Sequence, residues 1–389
     1  IIGAGSAGCV LANRLSEGGR HSVCVLEAGP PDRSVYIHIP VGWVKVAFNP
    51  DLTWQFATEP VPGAADRRIP IMLGKTLGGS SSINGLCVFR GQHADYDNWA
   101  RLGNPGWSFK EVLPYFKKAE RRPGAAADSL RGQNGPWTVS DSAWQDPMVD
   151  GFMEGAVQLG HRRNPDYNAE DTEGVARCQL TVDRKLRVST ARAYLHPAIR
   201  RGGVDVRTHA LVSSIVFEGR RAVGAKYQDV RAPGVKGEVR ARREVILSAG
   251  ALNTPRLLQV SGIGPADLLQ ELGVPVVHES RGVGANLTDH YYVRLSAKVQ
   301  GVTTLNQKTG GPRLWLEVLK WVTGQPSILE LGVIAAVVHS RSNPQLPAPD
   351  LQISFIPGGA RPRTPAEVDR KSKMALCAFH ALRPESRGT

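Results

Sequence analysis

The chain opens on Ile1-Ile2-Gly3-Ala4-Gly5-Ser6-Ala7-Gly8, and a second apolar run, Val23-Cys24-Val25-Leu26, ends on Glu27. This order specifies strand, tight turn, helix and parallel strand. Gly3 permits the turn, Gly5 lets the main chain approach a pyrophosphate, and Gly8 lets helix and strand pack closely. The helix N-terminus offers free N–H groups to phosphate oxygens. Cys9 to Leu15 supplies the helix, with Val10, Leu11 and Leu15 able to share one face, and Gly18-Gly19 stops it. Val23 to Leu26 is apolar without alternation, as a strand covered on both faces must be. Glu27 lies 19 residues beyond Gly8. A carboxylate there can accept hydrogen bonds from a ribose hydroxyl pair and repels a 2′-phosphate, which disfavours NADP. With 42 Gly in 389 residues, chance alone supplies about 0.5 such glycine patterns; the context carries the reading. FAD and NAD both remain compatible with it. Only two residues precede Gly3, whereas a strand needs roughly five, so a fragment lacking its N-terminal residues is expected.

At 389 residues the chain is long enough for about two domains. Its 41% hydrophobic and 21% charged residues are ordinary for a globular protein. The run Leu331 to Val338 is too short to span a bilayer. No transmembrane segment is expected; the compartment is not given by the sequence, with a cytoplasmic or membrane-peripheral location the expectation. The net charge of +13 does not make a nucleic-acid protein. Its basic residues are scattered or in short runs, such as Arg200-Arg201 and Arg240 to Arg243, without an aromatic platform. Five Cys form no C-x-x-C pair, which argues against a disulfide framework and a zinc site. No His pair has metal-binding spacing.

Prolines punctuate residues 30–73, an irregular stretch that suggests a functional surface or a cover. Gly74-Lys75-Thr76-Leu77-Gly78-Gly79-Ser80-Ser81-Ser82-Ile83-Asn84-Gly85 follows. Its small residues allow main chain to approach a flat ligand, and successive N–H groups can form an anion nest. Residues 108–119 read as a helix capped by Ser108, with Val112, Leu113, Tyr115 and Phe116 on the apolar face. Pro114 should kink or restart it. Residues 121–135 read as an exposed loop. Leu211 to Phe217, Ala222 to Gln228 and Val239 to Leu247 form a β-meander pattern. Thr254 is the expected N-cap of a helix with Pro255 at its first position, stopped by Gly262 or Gly264. Asp350 to Phe355 reads as a strand with Leu351, Ile353 and Phe355 on one face.

These motifs together resemble the glucose–methanol–choline (GMC) flavin oxidoreductases. Gly74 to Asn84 resembles the first family signature. Gly250-Ala251-Leu252-Asn253-Thr254-Pro255 through Ser261-Gly262-Ile263-Gly264 resembles the second, with Gln259 where the family carries an apolar residue. Trp54 with Thr58-Glu59-Pro60, Asp95 to Trp99, Asn104 to Trp107, Gly282 to Leu287 and Asp289-His290 match in order. The likeness runs from Ile1 to about Thr389, and the bacterial choline and alcohol dehydrogenase branch is nearest.

The resemblance implies FAD rather than NAD. Gly3, Gly5 and Gly8 would meet the pyrophosphate and Glu27 the adenosine ribose. Gly79, Ser80, Asn84 and Gly85 would lie along the pyrophosphate and isoalloxazine, and the backbone of Val212 would read the adenine edge. Asp289-His290 would be structural, and Cys87 a packed thiol near the flavin. No His lies between Gly74 and Gly91, so non-covalent FAD is expected. The implied reaction oxidises a primary alcohol to an aldehyde, passing hydride to flavin N5. The electrons then go to a quinone, another carrier or O2. A non-redox cyanohydrin lyase with structural FAD, or a non-catalytic flavin-binding remnant, are the alternatives.

The chain departs from the family at its end. Relatives place a His in a His-Pro-x-Gly-like context, followed by a second His or Asn. Here His196-Pro197 continues Ala198-Ile199, and His380 continues Ala381-Leu382. The catalytic residues are therefore expected beyond Thr389, none is assigned within the chain, and the fragment itself is expected to be inactive. No metal is expected. The expected fold is α/β. A Rossmann-type FAD-binding domain is built from residues 1–120 and 185–290, joined to an incomplete α+β substrate domain at 291–389 that contains an antiparallel sheet. Residues 121–184 are an insertion or a part of the substrate domain.

Overall fold

The computed structural model describes residues 1–126, 129–359 and 373–389. Its parallel sheet is assembled from distant pieces of chain. Val23–Leu26 runs parallel to Val204–Arg207. On the other side, Ile2 bridges both Leu26 and Leu247 in parallel. Gly3 N donates to Leu26 O at 2.8 Å, Ile2 N to Ile246 O at 2.8 Å and Ser248 N to Ile2 O at 2.8 Å.

The helix Ser6–Ser16 lies on this sheet and ends before the left-handed Gly19 (φ 66°). Its buried face is Gly8, Cys9, Ala12, Asn13 and Ser16, while Leu15 is 36% exposed. The face anticipated from Val10, Leu11 and Leu15 is therefore not the inner one. Small residues win because Cys9 and Ala12 pack tightly with Ala4, Val25, Leu77, Ala193 and Tyr194. Asn13 also donates to Tyr194 O at 2.7 Å across that contact.

The meander forms from Ala210–Glu218, Arg221–Asp229 and Lys236–Arg240, all antiparallel. The single strand expected over Val239 to Leu247 is divided. Arg240 ends the meander, and Leu247 bridges Ile2 in the parallel sheet. The polar run Arg242-Arg243-Glu244 separates two apolar stretches that serve different sheets. The next helix is Gly250–Val260, capped by Ala249, and starts before the expected Thr254. Pro255 lies inside it, as Pro114 lies inside the unbroken helix Phe109–Ala119. Each proline deprives only the carbonyl four residues earlier of its intrahelical donor. Gly262, at φ 88°, follows the helix end.

The irregular stretch contains an unanticipated hairpin, Thr53–Ala57 paired with Pro70–Gly74. A second, five-stranded antiparallel sheet runs in the order Tyr292–Lys298, Met374–Ala381, Leu351–Ile356, Ala336–Ser340 and Gly174–Arg177. Trp144, Met148, Val149 and Met153 pack on one face with Val175, Val338 and Phe355. In Leu351–Ile356 the alternation holds for Ile353 and Phe355, which pack on the same cluster, but Leu351 is 37% exposed and the intervening Gln352 and Ser354 are buried. Gln352 meets His339 Nε2 through Oε1 at 3.2 Å and donates to Ser354 Oγ at 3.0 Å. Both faces are thus covered around Gln352 to Phe355, and burial holds His339 down to about 4.

The expected exposed loop at 121–135 ends in a buried ion-pair cluster. Arg131, 2% exposed, donates Nη2 to Glu120 at 2.6 Å and Nη1 to Asp166 at 2.5 Å. Arg90 reaches the same Glu120 at 3.1 Å. Burial opposes the Arg131 charge, but its bonds to Glu120 and Asp166 hold its pKa raised. Glu120→Leu leaves two buried guanidinium groups short of a counter-ion. It should lower unfolding stability by about 3–5 kcal/mol, read from urea denaturation. Glu154→Leu, at the exposed pair with Arg163, should cost at most about 1 kcal/mol.

Candidate functional site

Two glycine-rich segments converge at the start of the first helix. Ala4 joins them: its N–H donates to Glu27 Oε2 at 2.8 Å, and its carbonyl accepts from Gly78 N at 2.8 Å. A Cβ on Gly79 would lie 2.7 Å from Gly5 Cα, and one on Gly3 would lie 2.5 Å from Ser248 O. One on Gly8 would overlap Gly3 O. Gly5 is the helix N-cap; it makes no side-chain cap, and the first turn carries no acid. Its first N–H groups therefore face a site bounded by main chain, suited to an anion.

Gly3, Gly5, Gly8, Glu27, Gly79 and Ser80 are brought together here. Ser80 is exposed, with Oγ accepting from Gly74 N at 3.1 Å. Asn84 and Gly85 follow the short turn Gly79–Ser82. Asn84 is exposed at the surface, whereas a Cβ on Gly85 would overlap Val333. Packing against the neighbouring segment therefore accounts for Gly85. Val212 lies apart, beside Ile2 and Leu26 in a shared apolar cluster, next to a register shift in its strand.

Glu27 has a structural role that its position did not reveal. It is 6% exposed, and Oε1 also accepts from Gly29 N at 2.9 Å. Burial raises its carboxyl to about 7 against the pull of these N–H groups and Lys75. Lys75 donates to Pro50 O at 2.9 Å and lies over Trp54, tied to the hairpin. His290 Nε2 meets Leu382 O at 3.0 Å. Cys87 packs with Leu86, Cys178 and Leu180. Sequence reading missed the contact of His196 Nε2 with buried Asp32, 3.0 Å to each oxygen. The two residues lie 164 positions apart, and only the fold pairs them. Among the described residues no His, Cys, Asp and Glu cluster could hold a metal ion. No helix among them is long and apolar enough to cross a membrane.

The family model described as GMC oxidoreductase matches residues 1–292. The chain belongs to the GMC oxidoreductase family. Within it, choline dehydrogenases are similar relatives. The oxygen-dependent choline dehydrogenase of Photobacterium profundum is 37% identical over 93% of this chain and 63% of its own length. The mitochondrial choline dehydrogenase of Mus musculus is 39% identical over 92% of this chain and 60% of its own. The chain thus spans less than two thirds of these two relatives. An FAD-dependent oxidoreductase from Chaetomium thermophilum superposes with TM-score 0.87 at 27% identity, covering 100% of this chain and 74% of that one. Pyridoxine 4-oxidase from Mesorbium loti gives 0.83 at 26% identity, covering 100% and 72%. The α/β GMC fold is shared.

Two outcomes follow for this GMC chain. Gly8→Ala must displace the Gly3 carbonyl and should destabilise by about 1–3 kcal/mol. Gly151→Ala, in a helix interior with nothing within 4 Å of the added methyl, should stabilise by about 0.5–1 kcal/mol; thermal unfolding compares them. Glu27 holds a proton more tightly folded than at its ordinary value of 4.5. Its contribution to stability therefore falls as pH rises from 4.5 to about 7 and then levels. Glu27→Gln should flatten that part of the denaturation profile.

Proposed function

We propose that this chain forms the cofactor-bearing part of an FAD-dependent alcohol oxidoreductase of the choline dehydrogenase type. The supporting observation is the Gly5–Gly79 approach at an uncapped helix N-terminus. Gly3, Gly5, Gly8, Gly79 and Ser80 would hold the pyrophosphate, Glu27 the ribose side, Val212 the adenine edge, and Asn84 with Gly85 the isoalloxazine. The fit rests on main chain that no side chain obstructs. FAD supplies the hydride acceptor that amino acids lack. The protein's share is to orient the nucleotide, fix the donors facing it and exclude water. Residues 1–120 and 185–290 form the cofactor domain in this reading, and 291–389 with Gly174–Arg177 the substrate side.

The substrate class is a primary alcohol, with choline first among those to test, and the acceptor is a quinone, another carrier or O2. No residue of this chain is assigned as the base. Bleaching of the bound flavin by an alcohol under anaerobic conditions, in the protein as the gene encodes it, tests the reading. No bleaching with any alcohol would refute it. Non-covalent attachment predicts that acid precipitation releases all flavin absorbance to the supernatant; colour retained in the pellet would show a covalent bond.

A further inference from the structure

Arg187 carries a charge that its surroundings do not neutralise. It is 1% exposed, and among the described residues no carboxylate lies within ion-pair range of it. Its Nε donates to Ile37 O at 2.8 Å, and Nη1 to Asn84 Oδ1 at 2.8 Å and Ser81 O at 3.3 Å. Its Nη2 is buried without a partner. Burial pulls Arg187 down to about 10, which leaves it cationic at neutral pH. A buried cation without an acid is costly, so its retention calls for an electron-rich partner nearby.

The Asn84 side chain supplies the direction. Leu86 N also donates to Asn84 Oδ1, at 3.1 Å. Two donors converge on one atom, so that atom must be the amide oxygen. The Asn84 NH2 group is thereby turned away from Arg187. No protein acceptor lies in hydrogen-bond range of it among the described residues, and the residue is exposed. Asn84 follows the Gly79–Ser82 turn, and its neighbour Gly85 packs against Val333. The Gly79 that meets the helix N-cap Gly5 and this oriented amide thus belong to one small-residue segment.

We infer that Arg187 is a positioning residue: it locks the Asn84 amide with its NH2 directed at the redox ring of the flavin and lends that donor its uncompensated charge. The inference rests on the FAD reading. A donor backed by a cation stabilises the ring more once reduction has placed negative charge on it, so the pair raises the reduction potential.

The test uses the flavin-loaded protein and its Arg187→Met, Arg187→Lys and Asn84→Ser variants. FAD affinity is read by fluorescence quenching and the two-electron midpoint by reductive titration. Arg187→Met and Asn84→Ser should each weaken reduced relative to oxidised flavin binding about tenfold, a fall of about 30 mV. Arg187→Lys should recover at least half of it. Asn84 is exposed, so Asn84→Ser removes the Arg187 and Leu86 contacts without opening a cavity and keeps the test decisive if Arg187→Met does not fold. A midpoint unmoved in Asn84→Ser overturns the inference. Equal weakening of both redox states does so too, since that marks a phosphate contact or mere packing. If the unsubstituted protein takes up no FAD, the functional reading falls as well; if it binds FAD with the midpoint unmoved by substitution, only this inference falls.

Discussion

The structure turns on the main chain of Ala4. Its N–H is held by Glu27 and its carbonyl by Gly78, so a strand end, a helix start and a distant small-residue segment meet at one peptide. The pyrophosphate end of the proposed cofactor site follows from this clamp. With Ala4 fixed, Gly79 approaches Gly5 too closely to carry a side chain. The first-turn N–H groups then look out over surfaces made only of backbone. Glu27 is buried for the same reason: a carboxylate spanning two backbone N–H groups stabilises a turn that glycine alone would leave loose.

Two buried arginines show how differently the same group can be used. Arg131 finds Glu120, Asp166 and Gln179 and ties residues 121–184 to the body that carries the glycine segments. Arg187 finds only carbonyl and amide oxygens. The first is an internal cross-brace whose charges cancel. The second keeps its field, which in a low-dielectric interior reaches the neighbouring surface with little screening.

Local chemistry made much of this legible in sequence. The glycine pattern with its flanking apolar runs located the first βαβ unit, Ser108 marked a helix start that the structure caps with Glu111, and the meander was correctly placed through its first two strands. The errors fall where tertiary contacts override local pattern. Leu15 faces outward because the sheet admits only small residues beneath the helix. Val239 to Leu247 looked like one strand because apolarity cannot say which sheet will claim it. Gln352 and Ser354 are buried on the sheet face that meets His339, a face on which the alternation of Leu351, Ile353 and Phe355 is silent. Asp32 with His196, and Arg187 with Asn84, had no signal in sequence, since nothing local links residues more than 100 positions apart.

The position of Ile2 in the parallel sheet also sets a timetable. Ile2 lies between Leu26 and Leu247, so one flank of the first strand stays unpaired until its partner has been synthesised. At roughly 5–20 residues per second, the nascent chain carries an open sheet edge for on the order of ten to fifty seconds. An edge of this kind recruits other strands, and non-local pairing is slow to close. The architecture that brings two glycine segments to one peptide therefore leaves this sheet edge without its native partner until residue 247 emerges.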